Sequence, residues 1–407
     1  MVDEVSIRET QAPKSIEEVG RVVADLAAEG TAVFPVGGQT ALDYGLPASR
    51  PGVAIDCTHL AHIDDYPSED MTITIEAGVR MSELSRILAE KNQMLPVDAS
   101  DSARATLGGA IATNTSGPRR FGYGTLRDYV IGIDVIDAAG RRVHGGGRVV
   151  KNVAGYDLMK LHIGALGTLG VVVQVSLKLR PVPESRAVIG TALRSDQIEP
   201  VLERLNRSET RPVAIELVNA ETGIFVNELT VSDRRPFGLV LLFEESRAAV
   251  DWQLQQVRRE VGELGVSFDY CPAREKYGEI LETLTNPAAR ADAVLVFKAT
   301  MLPGEISSFL ERAARDFVSV RLSSHAGNGI VIGAVPSGSL ETVGGAVDSL
   351  RRSLADRGGS LVIERCPAAW KSKLAVWGAP RDEWSVMKQL KRRLDPNNVL
   401  NPGRMLG

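Results

Sequence analysis

The chain has 407 residues, enough for two domains, and its 44% hydrophobic and 24% charged content is that of an ordinary soluble globular protein. A net charge of -4 and a pI near 5.9 exclude the basic footprint of a nucleic-acid binder. Three cysteines, Cys57, Cys271 and Cys366, stand far apart, which suits a reducing compartment and excludes a CxxC iron–sulfur or zinc site in this chain.

The N-terminal MVDEVSIRET lacks the apolar stretch of a signal peptide. The longest uncharged run, Leu161 to Leu177, falls short of the roughly 20 apolar residues a membrane span needs. The expected location is the cytoplasm, with a membrane reached only through an assembly. In chain order, Ser15 and Glu18 form a capping box before a helix with Val19, Val22, Val23 and Leu26 on one face, closed by Gly30. A strand TAVFPV runs into the loop Gly37-Gly38-Gln39-Thr40, and VAIDC and MTITIEAG read as strands. Residues 82–92 read as a helix capped by Ser82. A glycine-rich block follows, then the strand 129–138 in a hairpin with 141–143 and the β-branched run 171–183. Pro181 and Pro183 mark a boundary. Beyond it, helices (196–206, 246–264, 304–316, 339–357, 381–394) alternate with strands (213–218, 238–243, 293–300, 329–335, 360–365), the pattern of an α+β domain on an antiparallel sheet.

Between Gly108 and Gly170 stand 14 glycines in 63 residues. Interior glycine weakens helices and strands by roughly 0.5–1 kcal/mol, so this density implies a backbone turning sharply against a large ligand. A P-loop is excluded because Gly-Lys never occurs. Gly164-x-x-Gly167-x-x-Gly170 has the wrong spacing for a Rossmann turn and precedes a strand, where that motif needs a helix. The loop at 37–40 is either a tight turn or a nest of N–H groups aimed at an anion. Thr106-Leu107-Gly108-Gly109 is either a turn or a helix start favouring a phosphate.

PVGGQTALDYG, ITIEAGV, LPVDASDSARATLGGAIATNTSGPRRFGYGTLRDYV and KNVAGYDLMKLHIGALGTLGVV, in this order, resemble the FAD-binding domain of the vanillyl-alcohol-oxidase, or PCMH-type, flavoproteins. GPRR at 117–120, LVIERCPAAW at 361–370 and LDPNNVLNPGRM at the end resemble the FAD-binding subunits of bacterial glycolate oxidases. The resemblance implies an α+β fold: a two-subdomain FAD-binding domain at 1–185, an α+β cap with an antiparallel sheet at 186–380, and a segment at 381–407 returning to the first domain. It also implies FAD. Gly37, Gly38, Gln39 and Thr40 would hold the pyrophosphate. Thr106, Gly108, Gly109, Asn114, Ser116 and Gly117 would line the flavin and ribityl side. Gly164, Gly167, Thr168 and Gly170, with Val172, would follow the adenosine half. Relatives that attach FAD covalently often carry a His in the first loop, and GGQT has none, so the FAD is expected to be non-covalent.

Relatives that oxidise 2-hydroxy acids directly carry a motif like HxGDGNLH, whose two His serve a metal and substrate. Here the corresponding stretch is SHAGNGIV, with His325 as the one surviving imidazole. One imidazole makes a poor metal site, so no metal is expected. His325 is the candidate base, set against a structural histidine at a turn. Arg119 and Arg120 are candidates to clamp a substrate carboxylate, set against an exposed basic turn. Lys151, Asn152, Tyr156 and Asp157 form a polar cluster that the resemblance places near the flavin. Arg365 is a weaker candidate, and His59-x-x-His62 reads as structural for want of a third ligand. The expected activity is that of an FAD-binding subunit taking part in the oxidation of glycolate to glyoxylate, with substrate oxidised mainly by a homologous FAD-linked catalytic subunit and electrons passed via flavin to an iron–sulfur subunit. A stand-alone dehydrogenase for D-lactate or glycolate and a flavin-free scaffold are the alternatives.

Overall fold

The computed structural model describes residues 6–147, 156–225, 228–286 and 292–405. The chain divides into two compact units: 1–116 with 124–182 and 379–407, and 117–123 with 183–378.

In the first unit, β1 (Ile7–Gln11), β2 (Ala32–Val36) and β3 (Gly52–Asp56) form a parallel sheet in the order β1-β3-β2. The helix Ile16–Ala28 joins its first two strands. Ser15 Oγ accepts the Glu18 N–H at 3.2 Å, while the Glu18 carboxylate takes the Lys14 N–H rather than that of Ser15. A second sheet is antiparallel, in the order β4 (Ile63–Asp65), β5 (Thr72–Glu76), β9 (Val171–Lys178), β7 (Val130–Ile136), β8 (Arg142–Gly146). β6 (Gln93–Met94) pairs with β10 (Arg180–Pro181). One core cluster holds Val19, Val23 and Leu26 of the helix, Val33 and Ile55 of the first sheet, Ile136, Val171 and Val173 of the second, and Val399 and Leu400 of the tail. Each such side chain contributes about 1.5–3 kcal/mol on burial.

The tail is held by backbone and charge together. Val33 donates its N–H to Val399 O at 2.7 Å and accepts from Asn401 N–H at 2.9 Å. The Lys391 ammonium donates to Thr168 O (2.9 Å), to Leu400 O (2.8 Å) and to the Asp395 carboxylate. Asp395, fully buried at its side chain, also accepts the N–H groups of Val399 and Leu400. Burial pushes the Lys391 ammonium below its usual pKa, an effect Asp395 partly offsets. The buried Arg404 guanidinium donates to the carbonyls of Leu42, Tyr44 and Leu46.

The second unit is a seven-stranded antiparallel sheet: β11 (Ser185–Leu193), β12 (Ala214–Asn219), β13 (Phe237–Glu245), β14 (Leu295–Thr300), β15 (Arg321–His325), β16 (Ile330–Val335) and β17 (Ser360–Arg365), in the order β11-β13-β12-β15-β16-β14-β17. The strands alternate strictly. Leu239, Leu241 and Phe243 share one face with Leu217 and Phe297, under the helices Ser195–Arg207, Arg247–Gly262, Ile306–Asp316 and Leu340–Ala355. Phe297 lies against Phe317 (5.7 Å) and Phe309 (6.4 Å) because Gly333 presents no Cβ, which would stand 2.1 Å from the Phe297 ring. The opposite face carries Val240, Leu242, Glu244, Glu216 and His325.

The α+β expectation holds, with differences of detail. The helix expected at 82–92 spans Met81–Ala89, and Ser82 does not cap it: the N–H groups of Met81 and Ser82 donate to Ala105 O and Ser102 O instead. The run 171–183 breaks at its prolines into β9 and β10, and β11 begins as a separate strand in the second unit. The stretch 321–325 is a strand, so His325 ends β15 rather than sitting in an isolated turn. A helix at Tyr277–Thr285 had no counterpart in the sequence reading.

His162 closes the short helix Met159–His162, and its Nδ1 is buried without a hydrogen-bond partner among the described residues. Burial therefore lowers its pKa from the usual 6.5. The folded chain resists a proton that the unfolded chain accepts, so this group's contribution is whole above pH 6.5 and is lost as pH falls below it. His162→Phe is expected to flatten the fall in melting temperature between pH about 7.5 and about 5.5; equal falls in both proteins would refute the assignment.

Candidate functional site

The first unit holds a cavity of about 360 Å³ lined by the loop 37–40, by Thr106, Gly108 and Gly109, and by Leu166, Gly167, Gly170 and Val172. The first loop follows β2 directly. Among the described residues, no protein group accepts the backbone N–H groups of Gly37, Gly38, Gln39 and Thr40. Gln39 takes the left-handed φ of 57° that turns the chain. The glycines serve the packing of one loop on another. A Cβ at Gly37 would stand 2.1 Å from Thr106 Oγ1, and one at Gly38 would stand 1.7 Å from Arg104 O. With the loops that close, the N–H groups of 37–40 are left for a ligand, an anion-binding arrangement.

The helix start at 107 behaves otherwise. The helix is Leu107–Thr113, and its first donors are already taken: Leu107 N–H by Val79 O, Gly108 N–H by Ala77 O at 2.7 Å, and Gly109 N–H by Thr106 Oγ1 at 3.3 Å. It offers no spare N–H for a phosphate. Thr106 acts as its cap, and Gly108 lies 3.1 Å (at a built Cβ) from Ala77. Of the turn and the helix start that the sequence allows here, the structure has the helix start, with its first N–H groups engaged within the protein.

The loop 164–170 is a partition. Gly164 and Leu166 donate N–H groups to Ile111 O and Ala112 O, and Asn401 Nδ2 donates to Leu166 O at 2.6 Å. Gly167 and Gly170 face the 360 Å³ cavity, while Gly164 and Thr168 face a different groove, and the Thr168 hydroxyl is spent on Ala165 O. Asn114 caps the helix in the left-handed conformation at φ 49°, and its buried Oδ1 has no partner among the described residues, an acceptor of the kind a bound group satisfies. Ser116 ends a segment of the first unit and Gly117 begins a segment of the second. Cys57 also lines the cavity, and burial pushes its thiol up to about 12, which leaves it inert.

In the second unit, β12 and β15 are register-paired at Glu216 and His325, placing both side chains on one sheet face. Glu216 is 1% exposed and His325 5%. His325 Nδ1 lies 2.9 Å from each Glu216 oxygen. With Nδ1–H donated to the carboxylate, Nε2 is left as the proton-accepting nitrogen. Sequence reasoning missed Glu216, whose only signal was a lone acid inside an apolar strand.

Arg119 is not an unengaged clamp. The segment 117–123 packs within the second unit, with Gly122 N–H donating to Val213 O and the Phe121 ring lying where a Cβ on Gly327 would be. Arg119 Nη1 thereby reaches Glu244 at 3.3 Å, and Tyr123 Oη donates to the same carboxylate at 2.7 Å. Arg186 Nε stands 3.5 Å from it. Glu244 is buried, so these cations balance a charge that water cannot reach. Arg119 is thus nearly buried, and Arg120 and Arg365 are half-buried, rather than exposed. Tyr156 is 88% exposed, Asp157 pairs with Lys160 at 3.1 Å, and Lys151 and Asn152 lie outside the described residues. Among the described residues, no group of three His, Cys, Asp or Glu could hold a metal. No helix among them is long and apolar enough to cross a membrane.

Residues 10–146 match the FAD binding domain, and residues 182–405 match the C-terminal domain of FAD linked oxidases. The chain belongs to the FAD-linked oxidases, and FAD is its cofactor. It is similar to the glycolate oxidase subunit GlcD of Bacillus subtilis (26% identity, covering 97% of this chain and 88% of that protein). It is also similar to the D-lactate dehydrogenase of Anaerostipes hadrus (27%, 96% and 88%) and to the glycolate oxidase subunit GlcE of Escherichia coli (33%, 42% and 47%). The structure of p-cresol methylhydroxylase shares the fold, with a TM-score of 0.76 at 16% identity over 99% of this chain and 91% of that one.

Gly38→Ala drives a methyl group into the Arg104 carbonyl, an overpacking of about 1–3 kcal/mol. The purified variant is expected to carry little FAD, read as flavin absorbance per mole of protein. Full flavin content would show that the loops need no such approach.

Proposed function

We propose that this chain is an FAD-dependent oxidoreductase acting on the CH–OH group of a small 2-hydroxy acid, glycolate or D-lactate, within a multi-subunit glycolate-oxidising assembly. The observation that carries the catalytic part is the buried Glu216–His325 pair. Oxidation removes a proton from the hydroxyl oxygen and a hydride from the adjacent carbon. His325 Nε2 takes the proton. Glu216 holds the imidazole in the tautomer that can accept it and stabilises the imidazolium that forms. FAD, when bound, supplies the two-electron acceptor. Gly37, Gly38, Gln39 and Thr40 would hold its pyrophosphate by backbone N–H groups, and the absence of a His from that loop supports non-covalent attachment.

The assembly reading rests on the relatives named as glycolate oxidase subunits and on the chain's three scattered cysteines, which leave one-electron transfer to an iron–sulfur partner. In a second reading a homologous partner oxidises the substrate and this chain relays electrons. The want of a metal-holding group among the described residues favours it.

Acid denaturation and filtration are expected to release the yellow colour; colour retained on the polypeptide would refute non-covalent attachment. Anaerobic glycolate or D-lactate is expected to bleach the flavin of the isolated chain. His325→Ala should slow that bleaching by about 10²–10⁴-fold. Glu216→Gln should lower the rate less and displace its pH profile. Bleaching only when partners are added would assign substrate oxidation to the partner.

A further inference from the structure

The groove on the far side of the loop 164–170 belongs to no part of the proposed reaction. It has a volume of about 570 Å³ and runs between the segment 160–169 and the helix Glu383–Leu394, wholly within the first unit. That helix is unusual for a globular protein. Trp384, Met387, Leu390 and Leu394 recur at helical spacing, yet none of its residues is buried. Of the apolar residues lining the groove, Met387 and Leu390 are half-buried and Leu161, across it, is 40% exposed, while Val386 (65%) and Leu394 (40%) are exposed elsewhere on the helix. Apolar side chains gathered at one open groove mark an interaction surface.

The rim has a definite charge. Lys388 and Arg392 line the groove and make no ion pair among the described residues, and Arg127 and Lys160 stand with them. The acid in the lining is Asp395, which is already neutralised by Lys391 and two backbone N–H groups. This cationic rim sits on a chain whose net charge is -4. A second copy docked here about a two-fold axis would bring another cationic rim against this one, which is repulsive. A bilayer surface is flat and would leave the groove unfilled.

We propose that this groove seats an acidic amphipathic segment of a partner subunit, its apolar side against Met387, Leu390 and Leu161 and its carboxylates against Lys388 and Arg392. The proposal rests on the multi-subunit reading above. Its consequence is mechanical as well. The occupant would press on the loop 164–170, whose other side lines the FAD cavity, and on Asn401, which lines both.

The test is to produce the full chain together with the homologous flavoprotein subunit and the iron–sulfur subunit, and to measure co-elution on size exclusion. Lys388→Glu with Arg392→Glu is expected to weaken association by about tenfold or more. Leu161→Asp should do the same through the apolar half. In both variants FAD content, melting temperature and substrate bleaching of the isolated chain should match the unmodified protein, which separates lost docking from lost folding. If the unmodified chain assembles and both variants assemble equally well, the surface is wrong while the assembly stands. If the unmodified chain co-elutes with neither subunit, both fall. Vesicles containing phosphatidylglycerol that pellet the unmodified chain but not the variants, with assembly intact, would overturn the partner segment in favour of a membrane.

Discussion

The structure of the first unit depends on one half-buried ammonium. The chain leaves this unit at Val182 and returns at Ala379, so nothing in local sequence forces the last segment into place. Lys391 supplies the constraint. Its three acceptors, Thr168 O, Leu400 O and the Asp395 carboxylate, come from the glycine loop, the tail and its own helix. Asp395 in turn satisfies two tail N–H groups. An ammonium drawn partly out of water is costly unless its donors are met, so its three hydrogen bonds tie these pieces together. That knot fixes the loop 164–170, and the loop is the wall shared by the 360 Å³ cavity and the groove behind it.

The glycines act at one remove from the ligand. Their density implies a backbone lying against a large bound group, and Gly108, Gly109, Gly167 and Gly170 of the block do line the cavity. At Gly37 and Gly38, however, the missing Cβ makes room for Thr106 and the Arg104 carbonyl. At Gly167 it makes room for Asn401. What remains when the loops have packed is a set of four N–H groups at 37–40 without protein acceptors among the described residues. The neighbouring helix start shows the reverse outcome, because its donors were consumed by the same close approach.

The legible part of the fold was the local part. Capping at Ser15, alternation in the strands of both sheets and the prolines at 181 and 183 are written within a few residues of the structure they cause. Ordered motifs carried the family and its cofactor. What escaped was non-local. Glu216 lies 109 positions from His325, and Arg119 lies 125 positions from Glu244, distances bridged only by strand pairing and by a seven-residue excursion of the chain into the second unit. The strand at 321–325, RLSSH, is short and polar, with no periodicity to betray that its neighbours on both sides complete a sheet.

The pairing also changes what a lone histidine means. Judged by metal ligands, His325 looked like the remnant of a site, since one imidazole cannot hold a divalent cation. Judged by its partner, it is a different device. A carboxylate at 2.9 Å from Nδ1, with both groups buried, commits that nitrogen and leaves one basic position whose orientation is set by two adjacent strands. A metal and a substrate hydroxyl would both use the nitrogen Glu216 leaves over, but among the described residues no group of three His, Cys, Asp or Glu could hold a metal. The geometry therefore weighs toward proton transfer, and the loss of the second histidine from the motif removes a ligand that this arrangement does not need.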